Sequence, residues 1–145
     1  MKKIFAAGVL SAALLAMTGG VSPAAAHGAL AVGSTSDVAK DGIAMGTAIN
    51  YDTASEARKT ALEYCKNYKS APKAALQCRI VGSFKDECYA ISFDPKAGTP
   101  GAGWAIASSK AAAERRALEN CKTTAGADRI QFCEITESKC DGDAK

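Results

Sequence analysis

Histidine is almost absent from this chain, because His27 is the single histidine among 145 residues. A nucleophile of the triad type needs a histidine as its base, and catalytic zinc or copper centres draw on several histidine ligands. The residues beyond His27 therefore exclude a histidine-based triad and a multi-histidine metal site. A copper site formed by the α-amine and imidazole of His27 at a processed amino terminus would still lack its second histidine. We expect no metal and no cofactor.

A clear excess of charge of either sign is also missing. The formal net charge is +3, and two of the positive charges, Lys2 and Lys3, lie at the very start of the chain. A nucleic-acid-binding domain is typically strongly basic and carries aromatic side chains among its lysines and arginines. The loose basic stretch within 66–79 is better explained by favourable charge near a helix carboxyl terminus. We therefore expect no nucleic-acid partner.

Long hydrophobic runs are missing after the first 26 residues. Before that point a short basic start precedes an apolar run at 4–17, and small residues follow at 24–26. This order is typical of a secretory signal peptide, and a run of about 14 residues is shorter than the roughly 20 that span a bilayer. We predict a signal peptide at 1–26 that is cleaved after about Ala26. The product, 27–145, is expected to be secreted or periplasmic and to lack a membrane span.

Metal-binding cysteine spacings are missing as well. No cysteine pair has the C-x-x-C spacing, and the intervals of 12, 9, 32, 11 and 6 residues match no common zinc or iron–sulfur motif. An even number of cysteines in an exported chain predicts disulfide bonds, but six cysteines allow 15 pairings. The candidates are Cys65, Cys78, Cys88, Cys121, Cys133 and Cys140.

Two segments of equal length, 53–65 and 109–121, carry the same pattern. Apolar residues follow the helical period in each, so both segments predict a helix with one apolar face. Thr53 with Glu56 forms a capping box at the first helix, and Ser109 caps the second. The matching positions are Ala57 and Ala113, Ala61 and Ala117, Leu62 and Leu118, Glu63 and Glu119, and Cys65 and Cys121.

Short strand-like segments surround both predicted helices in the same order, two before each helix and one after it. The order strand–strand–helix–strand therefore occurs twice, in repeats of about 27–84 and 85–140. We predict a single α+β domain over 27–145, in which the tandem repeat forms an antiparallel sheet with two alanine-rich helices on one face. The segments are 29–32, 46–49 and 78–81 in the first repeat and 90–93, 103–106 and 133–136 in the second.

The repeat favours one of the possible cysteine pairings. Cys65–Cys78 and Cys121–Cys133 are equivalent links from a helix end to the following strand. Cys88 and Cys140, each just after the last strand of its repeat, are then left to pair with one another. The two equivalent links each close a loop of 11 to 12 residues, and such a loop stabilises a fold by about 3 kcal/mol in the chain-entropy model.

Several segments together resemble the small secreted bacterial family known as domain of unknown function 4189, over about residues 27–140. The resemblance implies a secreted, disulfide-bearing domain and no established catalytic residues. The chain departs from the family pattern in its long first turn and at Thr47, where an aromatic residue is common. The segments are Gly28-Ala-Leu-Ala-Val32, Gly46-Thr-Ala-Ile49, Cys78-Arg-Ile-Val-Gly-Ser-Phe84, Cys88-Tyr-Ala-Ile91, Gly103-Trp-Ala-Ile106 and Ser109-Lys-Ala-Ala-Ala-Glu114.

No motif in the chain predicts a reaction. The carboxylates lie in predicted turns or on helix faces rich in lysine and arginine, where they are typical of a solvated surface. We predict an exported, non-enzymatic, disulfide-stabilised domain that binds an unknown protein or envelope ligand. Two alternatives stay open, namely a periplasmic inhibitor or immunity protein against a lysozyme or other wall hydrolase, and a carboxylate-dependent hydrolase.

The predicted turn at 94–101 is the candidate binding loop. Pro95 and Pro100 stiffen it, which reduces the entropy lost when a partner fixes the loop. Asp94 and Lys96 are the expected polar contacts. The alternative is an ordinary hairpin turn whose prolines only limit strand pairing.

Overall fold

The described part of the chain, residues 26–145 of a computed structural model, runs through strands and helices in the order that the repeat predicts. The predicted leader lies outside these residues except for Ala26. Along 26–145 no helix combines the length and the apolar character needed to cross a bilayer. The strands are β1 (His27–Ser34), β2 (Ile43–Tyr51), β3 (Arg79–Lys85), β4 (Cys88–Phe93), β5 (Ala102–Ala107) and β6 (Glu134–Cys140). The helices are α1 (Val38–Asp41), α2 (Ala54–Lys66), α3 (Pro72–Ala75) and α4 (Lys110–Thr124), and a short 3-10 helix covers Ile130–Phe132.

The six strands form two antiparallel three-stranded sheets with matching registers. The strand order is β2-β1-β3 in the first sheet and β5-β4-β6 in the second. Leu30 of β1 lies opposite Thr47, and Ile91 of β4 lies opposite Trp104. The β1–β3 ladder shifts register just after Leu30, and the β4–β6 ladder shifts just after Ile91. The predicted α+β tandem repeat is confirmed, and the two copies also share a register irregularity at the same place, which the sequence did not predict.

Both long helices begin at the capping residues that the sequence indicates. The Thr53 hydroxyl accepts a hydrogen bond from the Glu56 backbone N–H at 3.2 Å and lies 2.8 Å from Glu56 Oε2. Ser109 Oγ accepts from the Ala112 backbone N–H at 3.4 Å. Each cap satisfies a backbone donor that the first helical turn leaves free, which fixes where the helix starts.

Small side chains allow both helices to lie directly on their sheets. A Cβ added to Gly46 would overlap the carbonyl oxygen of Ala61, and one added to Gly103 would overlap that of Ala117. The helix backbone therefore contacts the strand at these two glycines. The helix residues that face the sheets are 0 % exposed, and they are Ala57, Ala61 and Cys65 on α2 and Ala113, Ala117 and Cys121 on α4.

The two sheets pack face to face, with a helix on the outer face of each. The sequence-based expectation named one sheet, whereas the strands divide between two. The reason is that β1 and β4 turn small residues towards their helices and large apolar residues the other way. A single sheet would leave these large side chains in water, so the second sheet covers them. The buried inter-sheet cluster is Leu30, Val32, Phe84, Tyr89 and Ile91.

Three disulfide bonds link Cys65 to Cys78, Cys121 to Cys133 and Cys88 to Cys140. These are the pairs that the repeat favours. The first two join the end of α2 or α4 to the strand that follows it, while the third joins facing residues of β4 and β6. Each of the three bonds lies within one repeat.

Candidate functional site

The stacked sheets meet along two seams, one between β2 and β6 and the other between β3 and β5. At the first seam the Tyr89 hydroxyl of β4 reaches Thr47 of β2 and Glu137 of β6. At the second seam Gly82 of β3 lies against Ile106 of β5. The two seams are equivalent positions of the repeat and have the same strand topology. Differences between the seams therefore arise from their side chains.

A cleft of about 340 Å³ opens at the β2–β6 seam. Its lining residues include the apolar Ile43, Met45, Ile91 and Phe93 and the polar Thr47, Thr136 and Glu137. Tyr68, from the segment after α2, also lines the cleft and is 42 % exposed. An apolar wall with a few convergent polar groups is the common composition of a small-ligand site.

Four side chains form a connected polar group along the β2–β6 seam. Tyr89 Oη lies 2.5 Å from Glu137 Oε1 and 3.1 Å from Thr47 Oγ1, and Lys139 Nζ lies 2.8 Å from the same Glu137 oxygen. A carboxylate only accepts, so the tyrosine hydroxyl donates to it and is free to accept from Thr47. Tyr89 is 1 % exposed, whereas the side chains of Glu137 and Lys139 are 36 % and 58 % exposed.

The electrostatics of this group keep the carboxylate charged and the tyrosine neutral. Burial acts to raise the pKa of Glu137, but the hydrogen bonds from Lys139 and Tyr89 together hold that pKa below its usual value. Burial, aided by the hydrogen bond to Glu137, raises the pKa of Tyr89 above its usual range. At neutral pH the cleft therefore presents a carboxylate whose charge is balanced by an exposed lysine.

The corresponding positions at the β3–β5 seam hold different residues. When the two repeats are aligned so that Leu30 matches Ile91, each residue of this polar group has a counterpart in the other repeat. The pairs of counterparts are Thr47 and Trp104, Tyr89 and Gly28, Glu137 and Gly82, and Lys139 and Phe84. Glycine thus stands at the counterparts of Tyr89 and Glu137, and an aromatic residue stands at the counterparts of Thr47 and Lys139.

The aromatic residues close the β3–β5 seam. Phe84 and Trp104 both pack with the inter-sheet cluster. A Cβ added to Gly28 would overlap the Phe84 ring, and one added to Gly82 would overlap Ile106. The two glycines therefore make room for large side chains that occupy the seam. At the other seam the smaller Thr47 stands where the β3–β5 seam has Trp104, and the cleft lies beside it.

The candidate loop at 94–101 is anchored by an ion pair. Asp94 Oδ2 accepts from Arg129 Nε at 2.7 Å and Asp94 Oδ1 from Arg129 Nη2 at 2.6 Å, and the guanidinium lies 4.2 Å from the centre of the Phe132 ring. The hydrogen bonds from Arg129 lower the pKa of Asp94 to about 2. Asp94 is buried and its two oxygens are engaged, so it stiffens the loop rather than offering a free contact.

The other three candidate binding residues of the loop are exposed. Pro95, Lys96 and Pro100 face solvent, and Lys96 donates its backbone N–H to Asp94 Oδ1 at 3.0 Å. Their proposed role in binding stays a prediction. A second cleft, of about 220 Å³, lies between this loop and α1. The hairpin loops of the two repeats therefore meet at one end of the molecule.

A family model, domain of unknown function (DUF4189), matches residues 27–140 of this chain. The chain belongs to this family. No curated protein and no solved structure matches it. The DUF4189 match covers both repeats, so both seams belong to the family's domain.

Along residues 26–145 no three histidine, cysteine, aspartate or glutamate side chains come together as ligands. His27 lies in β1, opposite Tyr51 and Lys85. The residue is thus part of the sheet, at the start of the matched region.

Sequence reasoning missed the β2–β6 cleft. The departure at Thr47 was visible, but its partners Tyr89 and Glu137 come from strands of the other repeat. The signal was present in the repeat itself, because aligning the final strands sets Glu137 against Gly82. A change from glycine to a charged residue at an inward position is unusual unless the space is open to water.

Proposed function

We propose that this DUF4189 domain is an exported, non-enzymatic binding module whose ligand site is the β2–β6 cleft. The observation that carries the proposal is the difference between the seams, since the equivalent space between β3 and β5 is filled by Trp104 and Phe84. Export is supported by the predicted leader and by the three disulfide bonds, which persist in oxidising compartments.

The side chains of the cleft favour a ligand with an apolar body and a positively charged end. The apolar body would contact Ile43, Met45 and Phe93, with Tyr68 at the exposed side. A ligand ammonium would take the place of the exposed Lys139 ammonium at Glu137, which keeps the carboxylate paired throughout. Both an alkyl ammonium compound and a lysine side chain of a partner protein have this chemistry.

Chemical-shift mapping with two matched probes tests the site. We expect hexylamine, at millimolar concentration, to shift backbone amide signals of β2 and β6, and hexanoate to leave them in place because Glu137 repels its charge. A lysine-rich peptide at the same concentration distinguishes a protein partner from a small ligand, since it adds contacts outside the cleft. Probes that move signals only elsewhere on the surface would contradict the proposal.

Two variants and one control sharpen this test. Thr47→Trp places in the cleft the residue that fills the other seam, and Glu137→Gln removes the charge while keeping the shape. Both should abolish the response to hexylamine, and Lys122→Ala, at an exposed position of the outer helix α4, should retain it. A folded Thr47→Trp protein that still responds would rule out the cleft. A wall-degrading activity lost with Glu137→Gln would instead indicate an enzyme.

A second candidate function rests on the rigid loop at 94–101. Its anchor, the Asp94–Arg129 pair, and its exposed residues Pro95, Lys96 and Pro100 suit insertion into the cleft of an enzyme. This observation favours an inhibitor of a lysozyme or other wall hydrolase. Replacing 95–100 with a glycine–serine linker, with Asp94 retained, should abolish inhibition without unfolding the domain. Wall hydrolases that stay fully active with excess unmodified protein would reject this function.

A further inference from the structure

A buried carboxylate with an unsatisfied oxygen lies just beyond β6. Asp141 is 0 % exposed, and its Oδ1 accepts the backbone N–H of Asn50 at 2.6 Å. Its Oδ2 is buried and has no hydrogen-bond partner among residues 26–145. Buried carboxylates are normally satisfied on both oxygens, because an unpaired one has lost its water without compensation. Asp141 Oδ2 therefore needs a hydrogen-bond donor, and a positively charged donor suits a buried carboxylate best.

A second carboxylate adds to the negative charge at this position. A Cβ added to Gly142, the residue after Asp141, would overlap Asp86 Oδ1, so this oxygen lies close to the same backbone. Gly142 has a φ of 59°, a backbone conformation that favours glycine. No side chain therefore lies between its backbone and Asp86. The ion pairs found within residues 26–145 involve neither Asp86 nor Asp141. Asp86 is exposed, and it adds negative charge beside the backbone that follows the buried Asp141.

The start of β1 lies at the same position. His27 is opposite Tyr51 on one side and Lys85 on the other, and the chain neighbours of these two residues are Asn50 and Asp86. Ala26 is buried, and its Cβ lies 3.1 Å from the point where Gly142 would carry a Cβ. Strand pairing thus holds the His27 backbone beside the two carboxylates, and Ala26 fills the adjoining space.

We propose that Asp141 Oδ2, with Asp86 beside it, binds the α-ammonium group of His27 that cleavage after Ala26 creates. Cleavage removes Ala26 from its buried position and converts the His27 amide nitrogen into a cation with three donors. The cation occupies the vacated space, donates to Asp141 Oδ2 and offsets the negative charge of both carboxylates. This inference rests on the export part of the proposed function, because an uncleaved chain has no ammonium there. The processed chain is consequently the form in which the fold is complete.

Two chains prepared in vitro test the ion pair without relying on export by cells. Removal of a cleavable fusion partner gives 27–145, and a second fusion gives 21–145, in which the ammonium is displaced. We expect oxidised 27–145 to melt about 5 °C above 21–145. Asp141→Asn should remove this difference, and Asp143→Asn, at an exposed neighbouring position, should preserve it.

The pKa of the α-amine gives a readout that stability alone does not. A free α-amine titrates at about 7.7–8.0, and in 27–145 we expect a value at least about one unit higher, measured on the unmodified amine from the pH dependence of the His27 α-nitrogen signal in nitrogen-15-labelled protein. Asp141→Asn should return it to the free value, and Asp86→Asn serves if that variant does not fold. Equal melting of the two chains together with an ordinary α-amine pKa would overturn the proposal. Equal stabilisation of both chains by calcium or magnesium chloride would assign the site to a metal ion and overturn it too. Sequencing the amino terminus of the protein recovered from the cell envelope tests export separately.

Discussion

Replacing Tyr89 with phenylalanine measures how much the polar group of the β2–β6 seam contributes to stability, because it removes one hydroxyl and leaves the ring that packs between the sheets. The hydroxyl makes two hydrogen bonds, at 2.5 Å to Glu137 and 3.1 Å to Thr47. A hydrogen bond to a charged group contributes about 1.5–3 kcal/mol and one between neutral groups about 1 kcal/mol. Glu137 keeps Lys139 and remains partly open to water, which places the loss towards the lower end. We expect Tyr89→Phe to lower the free energy of unfolding by about 2 kcal/mol.

Urea unfolding of the oxidised protein, followed by circular dichroism, measures this loss. With an m value of about 1–3 kcal/mol per molar, the midpoint should fall by about 1 M while m stays unchanged. Tyr51→Phe is the matched control, because the Tyr51 hydroxyl makes no side-chain hydrogen bond within residues 26–145 and the same deletion should cost less than about 0.5 kcal/mol.

A double-mutant cycle with Glu137→Gln tests the reasoning itself. The losses of Tyr89→Phe and Glu137→Gln should be non-additive by about 1 kcal/mol or more, because each variant weakens the same hydrogen bond. Additive losses, or a Tyr89→Phe protein as stable as the parent, would refute the role given to this group.

Three further outcomes follow from the structure. Gly46→Ala should destabilise the domain by about 1–3 kcal/mol, because its Cβ meets helix backbone, and Gly82→Ala should cost less, because its Cβ meets only the end of a side chain; similar thermal shifts for both would contradict this. The pKa of Asp94, about 2 in the fold against 3.8 when unfolded, gives stability that is present above pH 4 and is lost as the pH falls towards 2. The free energy of unfolding of an Arg129→Leu protein should fall less steeply over this pH range, and parallel pH profiles of the two proteins would count against the ion pair. Removing the Cys88–Cys140 bond, which spans 52 residues, should cost about 4 kcal/mol in the chain-entropy model, against about 3 kcal/mol for either shorter link; equal midpoints in urea would argue against that ranking.

The two long helices, the order strand–strand–helix–strand and the two equivalent disulfide bonds could be predicted from the sequence because each occurs twice, and Cys88–Cys140 followed as the remaining pair. Ala61 and Ala117, or Gly46 and Gly103, recur at the same spacing, since a helix backbone on a sheet tolerates only small residues there. Local patterns of this kind need no knowledge of distant contacts.

The stacking of the sheets and the cleft could not be read in the same way. Alternation along β1 shows that Leu30 points away from the helix, but it does not say what covers that face. Tyr89 meets Glu137 across the β4–β6 pairing, 48 residues along the chain, and it meets Thr47, 42 residues away, only after the two sheets stack. Asp94 illustrates the same limit, because its partner Arg129 lies 35 residues away and turns an expected contact residue into an anchor.

The confinement of every disulfide bond to a single repeat has a consequence for assembly. The two halves are joined covalently only through the short segment between β3 and β4, at Asp86 and Glu87. The first half of one molecule can therefore pack on the second half of another with all three bonds intact and both seams re-formed. Such an exchange yields a domain-swapped dimer without new surface chemistry, and the length of this segment controls how readily it occurs.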